Sequence, residues 1–389
     1  MRTLEPTPAD PRMLALLSEA GFGDAFHARQ HRSCELVDRY VLRLAIDLAR
    51  DLGLAGPLAA GRTASELEEE SGLPPAFRSP LRWLLAWLAQ GGLLEREANG
   101  AEPRYRLSGE LPRSAVAEAR AEGIASDPSY EPTYAMLDEA AVAYRKVASG
   151  EATGERALFQ KISLWAGYFS NANAYYALNN RVAAAVAAEH LPAEGGGVLE
   201  VGAGLGSATA AFLDRLATRE RAVTSYRATE PVAFFRRRAE RTLSPTYVGI
   251  PIEFSALDVN EPWQPQGIAP GSYDLVWGVN VFHLARRLDA VLGEARRALA
   301  PGGWLVVGEG MRPRPGAVVA AEFPFQLLDG FVDVEVDPVR RPTPGFLAHT
   351  EWRAALERAG FEAVGVAPDV ERLVEIYPAF YAAAVFGRR

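Results

Sequence analysis

In the second half of the chain, short apolar runs alternate with stretches of helical period. Residues 198–201 (VLEV) are apolar apart from one glutamate and stop at a glycine, the pattern of a buried strand. Residues 208–216 then carry Ala211, Phe212, Leu213 and Leu216 on helical spacing. The alternation continues with strands over 225–229, 252–257, 273–277 and 304–307 and helices over 232–243 and 288–299. A helix over 351–359 and strands over 361–366 and 380–386 complete a set of seven strands. Such alternation predicts an α/β fold with a doubly wound, mostly parallel sheet whose ligands sit at the carboxyl ends of the strands.

The first 110 residues follow another rule. Leu36, Tyr40, Leu44, Leu48 and Leu52 recur every four positions and predict a helix over 35–52, ended by Gly53. Thr63 and Glu66 read as a capping box, and an apolar helix over 81–88 stops at Gly91-Gly92. Short strands over 93–96 and 105–107 flank a polar turn, 98–102, as in a hairpin. Three helices and a hairpin make a winged-helix pattern. The third helix is apolar on more than one face, which suits a partner subunit better than a DNA groove. Residues 110–160 are helical and charged, with breaks at Asp127-Pro128 and Glu131-Pro132 that suggest a bridge or lid. The helix over 171–190 bears Tyr175, Tyr176, Asn179 and Asn180 and leads into the first strand of the sheet. The expected domains are therefore 1–110, 111–170 and 171–389.

Composition narrows the classes. A length of 389 residues favours two domains, and 49% hydrophobic with 23% charged residues is ordinary for a globular protein with a sizeable core. A net charge of −8 disfavours phosphate-based binding of nucleic acid. The single cysteine, Cys34, excludes an internal disulfide and a cysteine metal cluster and fits a reducing cytoplasm. His27 and His31 stand four apart without a third ligand, so no metal is expected. With no signal-peptide core and no long apolar run, the reading is a cytoplasmic protein with no membrane partner.

The glycines Gly202, Gly204 and Gly206 bring the chemistry. A dinucleotide fingerprint needs glycine at the sixth position, where this chain has Ser207. The observed E-x-G-x-G-x-G, with Glu200 ahead of the loop, resembles the first motif of class I S-adenosylmethionine (SAM) methyltransferases. That resemblance implies SAM as cofactor, held by Glu200, Gly202, Gly204 and Gly206. Glu230, 24 residues past Gly206, stands at a strand tip where a carboxylate accepts both hydroxyls of a ribose. Asp258 occupies the family's place for the adenine contact, with Val259 and Trp263 beside the ring, and Asn280 and Tyr176 complete the cofactor set.

Methyl transfer needs positioning and, often, a base. His283 follows the fourth strand, and Glu309 stands at the tip of the next, where a carboxylate orients an imidazole. The pair resembles the catalytic dyad of polyketide-synthase C-methyltransferase domains, whose NVxHA-type stretch matches residues 280–285. The FPFQLLDGF and TEPVAFFRRRAERTL stretches resemble those domains too. At the front, LAIDLARDLGL, TASELEEESGL, LRWLLAWLAQGGLLE and YRLS resemble the winged-helix dimerisation domain of small-molecule O-methyltransferases, which implies a homodimer. The HDW-like stretch of plant-type O-methyltransferases is absent, since Leu284 and Ala285 follow the histidine. The long connection 310–350 is expected to form the substrate wall through Phe325, Asp329, Arg340 and Phe346. Arg340 and Arg341 would hold a carboxylate or phosphopantetheine arm there, or form a solvated charge pair. The expected activity is SAM-dependent methylation of a small or carrier-bound natural product, with carbon preferred and a phenolic or enolic oxygen as alternative. A SAM-binding scaffold or regulator that does not methylate is the reading from another class.

Overall fold

Described over residues 4–98, 102–219 and 221–389 in a computed structural model, the chain builds one three-stranded and one seven-stranded sheet. Its contacts divide into two units. The first comprises the chain up to Ala9, His27–Tyr168 and Ala317–Val332. The second comprises Asp10–Phe26, Phe169–Gly316 and Asp333–Arg389.

In the first unit, strands β1 (Arg62–Thr63), β2 (Leu94–Glu97) and β3 (Arg104–Leu107) pair antiparallel in the order β1-β3-β2. Residues 99–101 of the expected hairpin turn lie outside the described residues. The helix Ala28–Asp51 begins earlier than its leucine period predicts, because His27 caps it, with Nδ1 accepting the Gln30 N–H at 3.2 Å. His31 meets the Thr7 carbonyl through Nε2 at 2.9 Å. The capping box forms as read, with Thr63 Oγ1 accepting the Glu66 N–H and Glu66 accepting the Thr63 N–H.

Two expectations change here. The apolar faces of the helix Arg78–Gln90, which suggested a partner subunit, are covered inside the unit: Trp83 stacks on Trp87 at 5.5 Å and donates its N–H to Glu322 at 3.1 Å. The segment Ala317–Val332, read as part of the 171–389 domain, also packs in this unit. Phe323 stacks on Tyr144 at 4.5 Å and takes that tyrosine's hydroxyl bond on its carbonyl. A Cβ on Gly154 would stand 1.7 Å from the Leu327 oxygen, so only glycine admits the segment there.

In the second unit the sheet contains β4 (Gly197–Val201), β5 (Ser225–Thr229), β6 (Ile252–Ser255), β7 (Tyr273–Val279), β8 (Leu299–Gly310), β9 (Glu362–Ala367) and β10 (Ala382–Arg388). The order is β6-β5-β4-β7-β8-β10-β9. The first five strands in this order run parallel, and β10 is inserted antiparallel between β8 and β9. Central strands buried on both faces must be apolar throughout, and Val198, Leu199, Leu275, Val276, Leu305 and Val306 are all fully buried. Strand β8 begins at Leu299, ahead of the strand expected over 304–307, and runs through Pro301-Gly302-Gly303. A register irregularity opposite Tyr273 and Leu275 absorbs it. Parallel pairing aligns the carboxyl ends of β4, β5, β6, β7 and β8, where Glu200, Glu230, Asp258, His283 and Glu309 stand. Among the described residues, no helix is long and apolar enough to cross a membrane, and no three His, Cys, Asp or Glu side chains gather to hold a metal.

Candidate active site

The loop after β4 is shaped by its glycines. Gly202, Gly204 and Gly206 have φ of +70°, +55° and +85°, a region that strains any other residue. A Cβ on Gly202 would meet Val281 at 2.5 Å and one on Gly206 would meet Leu243 at 2.6 Å, whereas one on Gly204 meets nothing within 4 Å. Gly204 is thus the point where a ligand can approach the main chain. Ser207 opens the next helix, Ser207–Ala217, and its hydroxyl donates to the Phe169 carbonyl at 2.6 Å.

Glu200 lies beneath the loop and is 1% exposed. Its Oε2 accepts hydroxyl bonds from Thr209 and Tyr226, both at 2.6 Å, while Oε1 has no partner. Burial pushes its pKa up to about 7, against the two hydroxyl bonds. A carboxyl whose folded pKa is raised stabilises the fold fully below its unfolded pKa, and that contribution is lost as pH rises through the folded value. Between pH 5 and pH 8 wild type should therefore lose up to about 3 kcal/mol relative to Glu200→Gln. Denaturant midpoints of both proteins at the two pH values measure this, and equal pH dependence would contradict it.

Glu230, just past β5, is held against the glycine loop. Its Oε2 accepts the Gly204 N–H at 3.1 Å and its Oε1 the Val232 N–H at 2.8 Å. Burial raises its pKa, and these two bonds oppose the rise. Each oxygen keeps a further lone pair for a diol. Asp258 is exposed, and its Oδ1 accepts the Asn260 N–H at 2.9 Å in a short turn with half-buried Val259. Trp263 does not flank a ring site as expected. It is buried and donates to the Val259 carbonyl at 3.2 Å, supporting the turn from inside.

Tyr176 lies on the helix Ala174–His190, edge-on to Phe169 at 5.1 Å. Burial first, then the carboxylates of Glu200, Glu309 and Glu230, push its phenol pKa up, so one side chain senses the tips of β4, β5 and β8. Asn280 takes a left-handed conformation, φ +53°, after β7. Its Oδ1 accepts the Gly310 N–H at 2.9 Å and the Asn179 amide at 3.3 Å, tying β7, β8 and that helix together.

The His283–Glu309 pair is formed and buried. Nδ1 of His283 is 2.6 Å from Glu309 Oε2. The other oxygen, Oε1, accepts the main-chain N–H groups of Val281, Phe282 and His283 at 3.2, 3.0 and 3.3 Å. Sequence reasoning missed this second role. The signal was that a turn leaving a buried strand end needs an acceptor for its N–H groups. Phe346 packs edge-on against the imidazole, centroids 4.8 Å apart at 80°.

Of the other expected wall residues, Phe325 and Asp329 belong to the first unit, where Phe325 packs against Trp165, Tyr168 and Phe331 and Asp329 is exposed. Arg340 is exposed and 3.5 Å from Asp289, a solvated ion pair. Its neighbour Arg341 is buried and bonds the carbonyls of His283 and Ala285 at 2.5 and 2.8 Å.

Together, the open face at Gly204, the Glu230 carboxylate, the Asp258–Val259 turn and the unpartnered Glu200 oxygen fit a ligand bearing a sugar diol, a base and an ammonium group. Residues 199–305 match a family model described as a methyltransferase domain. Fumosorinone synthetase of Cordyceps fumosorosea is 38% identical over 167 residues, which are 42% of this chain and 4% of that protein. The non-reducing polyketide synthase dpmpA of Macrophomina phaseolina is 28% identical over 390 residues, 96% of this chain and 16% of that protein. The chain thus spans a small part of the length of these relatives. The crystal structure of the CurJ carbon methyltransferase, 22% identical, covers 97% of this chain with 96% of its own at a TM-score of 0.76, so the two share a fold.

Proposed function

We propose, from the premise that this chain is a class I methyltransferase, that it moves the methyl group of SAM to the acidic carbon of a polyketide-like acceptor, with His283 as general base. The observation that carries this reading is the 2.6 Å bond between His283 Nδ1 and Glu309 at the strand tips beside the glycine loop. SAM, when bound, supplies a methyl group on a positively charged sulfur. Gly204, Glu230 and the Asp258–Val259 turn would hold its nucleoside, and the unpartnered oxygen of Glu200 would offer an acceptor to its ammonium group.

Donation from Nδ1 to Glu309 leaves the lone pair on Nε2, the tautomer a base requires. Nε2 takes the proton from a C–H flanked by carbonyl groups. The electron pair left on carbon would form the new C–C bond to the methyl group that SAM supplies, with the C–S pair returning to sulfur. Glu309 stabilises the imidazolium that forms. The relative aligned over 96% of the chain is a polyketide synthase, which supports a polyketide-like acceptor. A phenolic or enolic oxygen is the second reading, since the same base would deprotonate it.

The test uses the 3-oxobutanoyl thioester of N-acetylcysteamine as probe, the same acyl group on a phosphopantetheinylated carrier protein, and a simple phenol. Mass spectrometry and carbon NMR should show one methyl added at the carbon between the carbonyls of a thioester, with SAM consumed. Methylation of the phenol alone would favour oxygen. Calorimetric binding of SAM and S-adenosylhomocysteine without turnover on any probe would favour a scaffold, and no binding would remove the cofactor.

A further inference from the structure

Arg341 is 4% exposed, a guanidinium taken almost wholly out of water. Its Nη groups are spent on main-chain carbonyls: His283 at 2.5 Å, Ala285 at 2.8 Å and Gly345 at 3.5 Å. Its Nε has no partner. Burying a cation this way is costly, and the cost shows in its pKa, lowered to about 10 by burial first and then by Arg312, with Glu309 and Glu351 opposing. An arginine on a solvent-exposed loop would avoid this cost, so the fold retains the side chain at a disadvantage.

What it holds is the turn carrying the base. The N–H groups of Val281, Phe282 and His283 are taken by Glu309 on one side, and the carbonyls of His283 and Ala285 by Arg341 on the other. The same arginine bonds the loop that carries Phe346, whose ring packs on the imidazole. One side chain therefore fixes both the main chain of the histidine and the wall against its ring.

We propose that Arg341 is a positioning residue for His283, gripping the base's turn through its planar fork and placing a buried positive charge beside the His283–Glu309 pair. The inference rests on His283 being the base. A second buried guanidinium, Arg312, donates to Thr343 and to the Pro344 carbonyl in the same loop. Its charge and the carboxylates of Glu309 and Glu351 are the groups that act on Arg341.

Two variants separate fork from charge: Arg341→Lys keeps the charge and loses the fork, and Arg341→Met loses both. Nitrogen-15 NMR of the imidazoles, simple in a chain with 5 histidines, reads the tautomer without needing an acceptor. In Arg341→Met the Nδ1–H signal of His283 should weaken against the Nε2–H form. On the thioester probe kcat should fall about 10–100-fold while the calorimetric Kd for SAM stays within about twofold of wild type. In Arg341→Lys the Nδ1–H signal should weaken less and kcat fall less, about 3–10-fold. If Arg341→Met does not fold, the Lys variant alone must show the loss of kcat at unchanged SAM affinity. Wild-type imidazole signals and kcat in either variant would overturn the proposal. So would an equal loss of SAM binding and kcat with an unchanged imidazole tautomer, the signature of a merely structural arginine. If wild type fails to methylate any probe, the function proposed above fails, while the imidazole spectra still decide whether Arg341 positions His283.

Discussion

His283→Ala is expected to lower kcat by about 10³-fold on the thioester probe, with SAM affinity within a few-fold of wild type. The proton on the acceptor carbon then has no acceptor in the site, while the glycine loop, Glu230 and the Asp258 turn are untouched. The imidazole is 4% exposed and packed on Phe346, so alanine also leaves a small cavity. His283→Gln controls for it, because it restores most of the volume without a base. Both variants should lose activity alike, and calorimetry should return the same SAM affinity for each. An alanine variant that kept more than about a tenth of the wild-type rate would remove His283 as the base.

Glu309→Gln should be nearly as damaging and should also cost stability. The carboxylate is fully buried and acts only as an acceptor: three N–H groups on one oxygen and the imidazole on the other. An amide has one acceptor oxygen. If that oxygen serves the main chain, the NH₂ points at Nδ1, which must then accept. The proton moves to Nε2, and the lone pair needed for catalysis is lost. An aligned carboxylate-to-amide change of this kind costs about 10⁴-fold in the serine proteases, and about 10²–10⁴-fold is expected here. If the amide turns the other way, three buried N–H groups meet a donor and the fold loses about 1–3 kcal/mol. Thermal melting and the pH profile of kcat read the two outcomes. A variant with wild-type Tm and wild-type kcat would leave Glu309 without a role.

Much of this site was legible in the sequence because parallel α/β sheets convert spacing into position. Once strands end at Val201, Thr229 and Val279 and a glutamate stands inside Gly308–Gly310, the pairing of β4 with β5 and β7, and of β7 with β8, places their tips side by side. Glu230, His283 and Glu309 followed from that. What did not follow depends on which way one side chain turns. Arg340 and Arg341 are adjacent and alike in type, yet one faces solvent and the other the base. Trp263, read as flanking the adenine ring, lies inside, because its N–H finds the Val259 carbonyl there. The second role of the Glu309 carboxylate, on three main-chain donors, is readable only from the turn's need for an acceptor, which does not say which residue supplies it.

The segment Ala317–Val332 imposes an order on synthesis and a limit on recombination. The helical unit cannot close its aromatic core around Trp83 and Tyr144 until Glu322 and Phe323 have left the ribosome. By then most of the sheet's strands have already emerged, so the unit begun first is completed late. For the same reason, grafting residues 27–168 from a relative would import a groove at Gly154 cut for another chain's plug. Exchanging 317–332 with it should restore the match and the yield of folded protein.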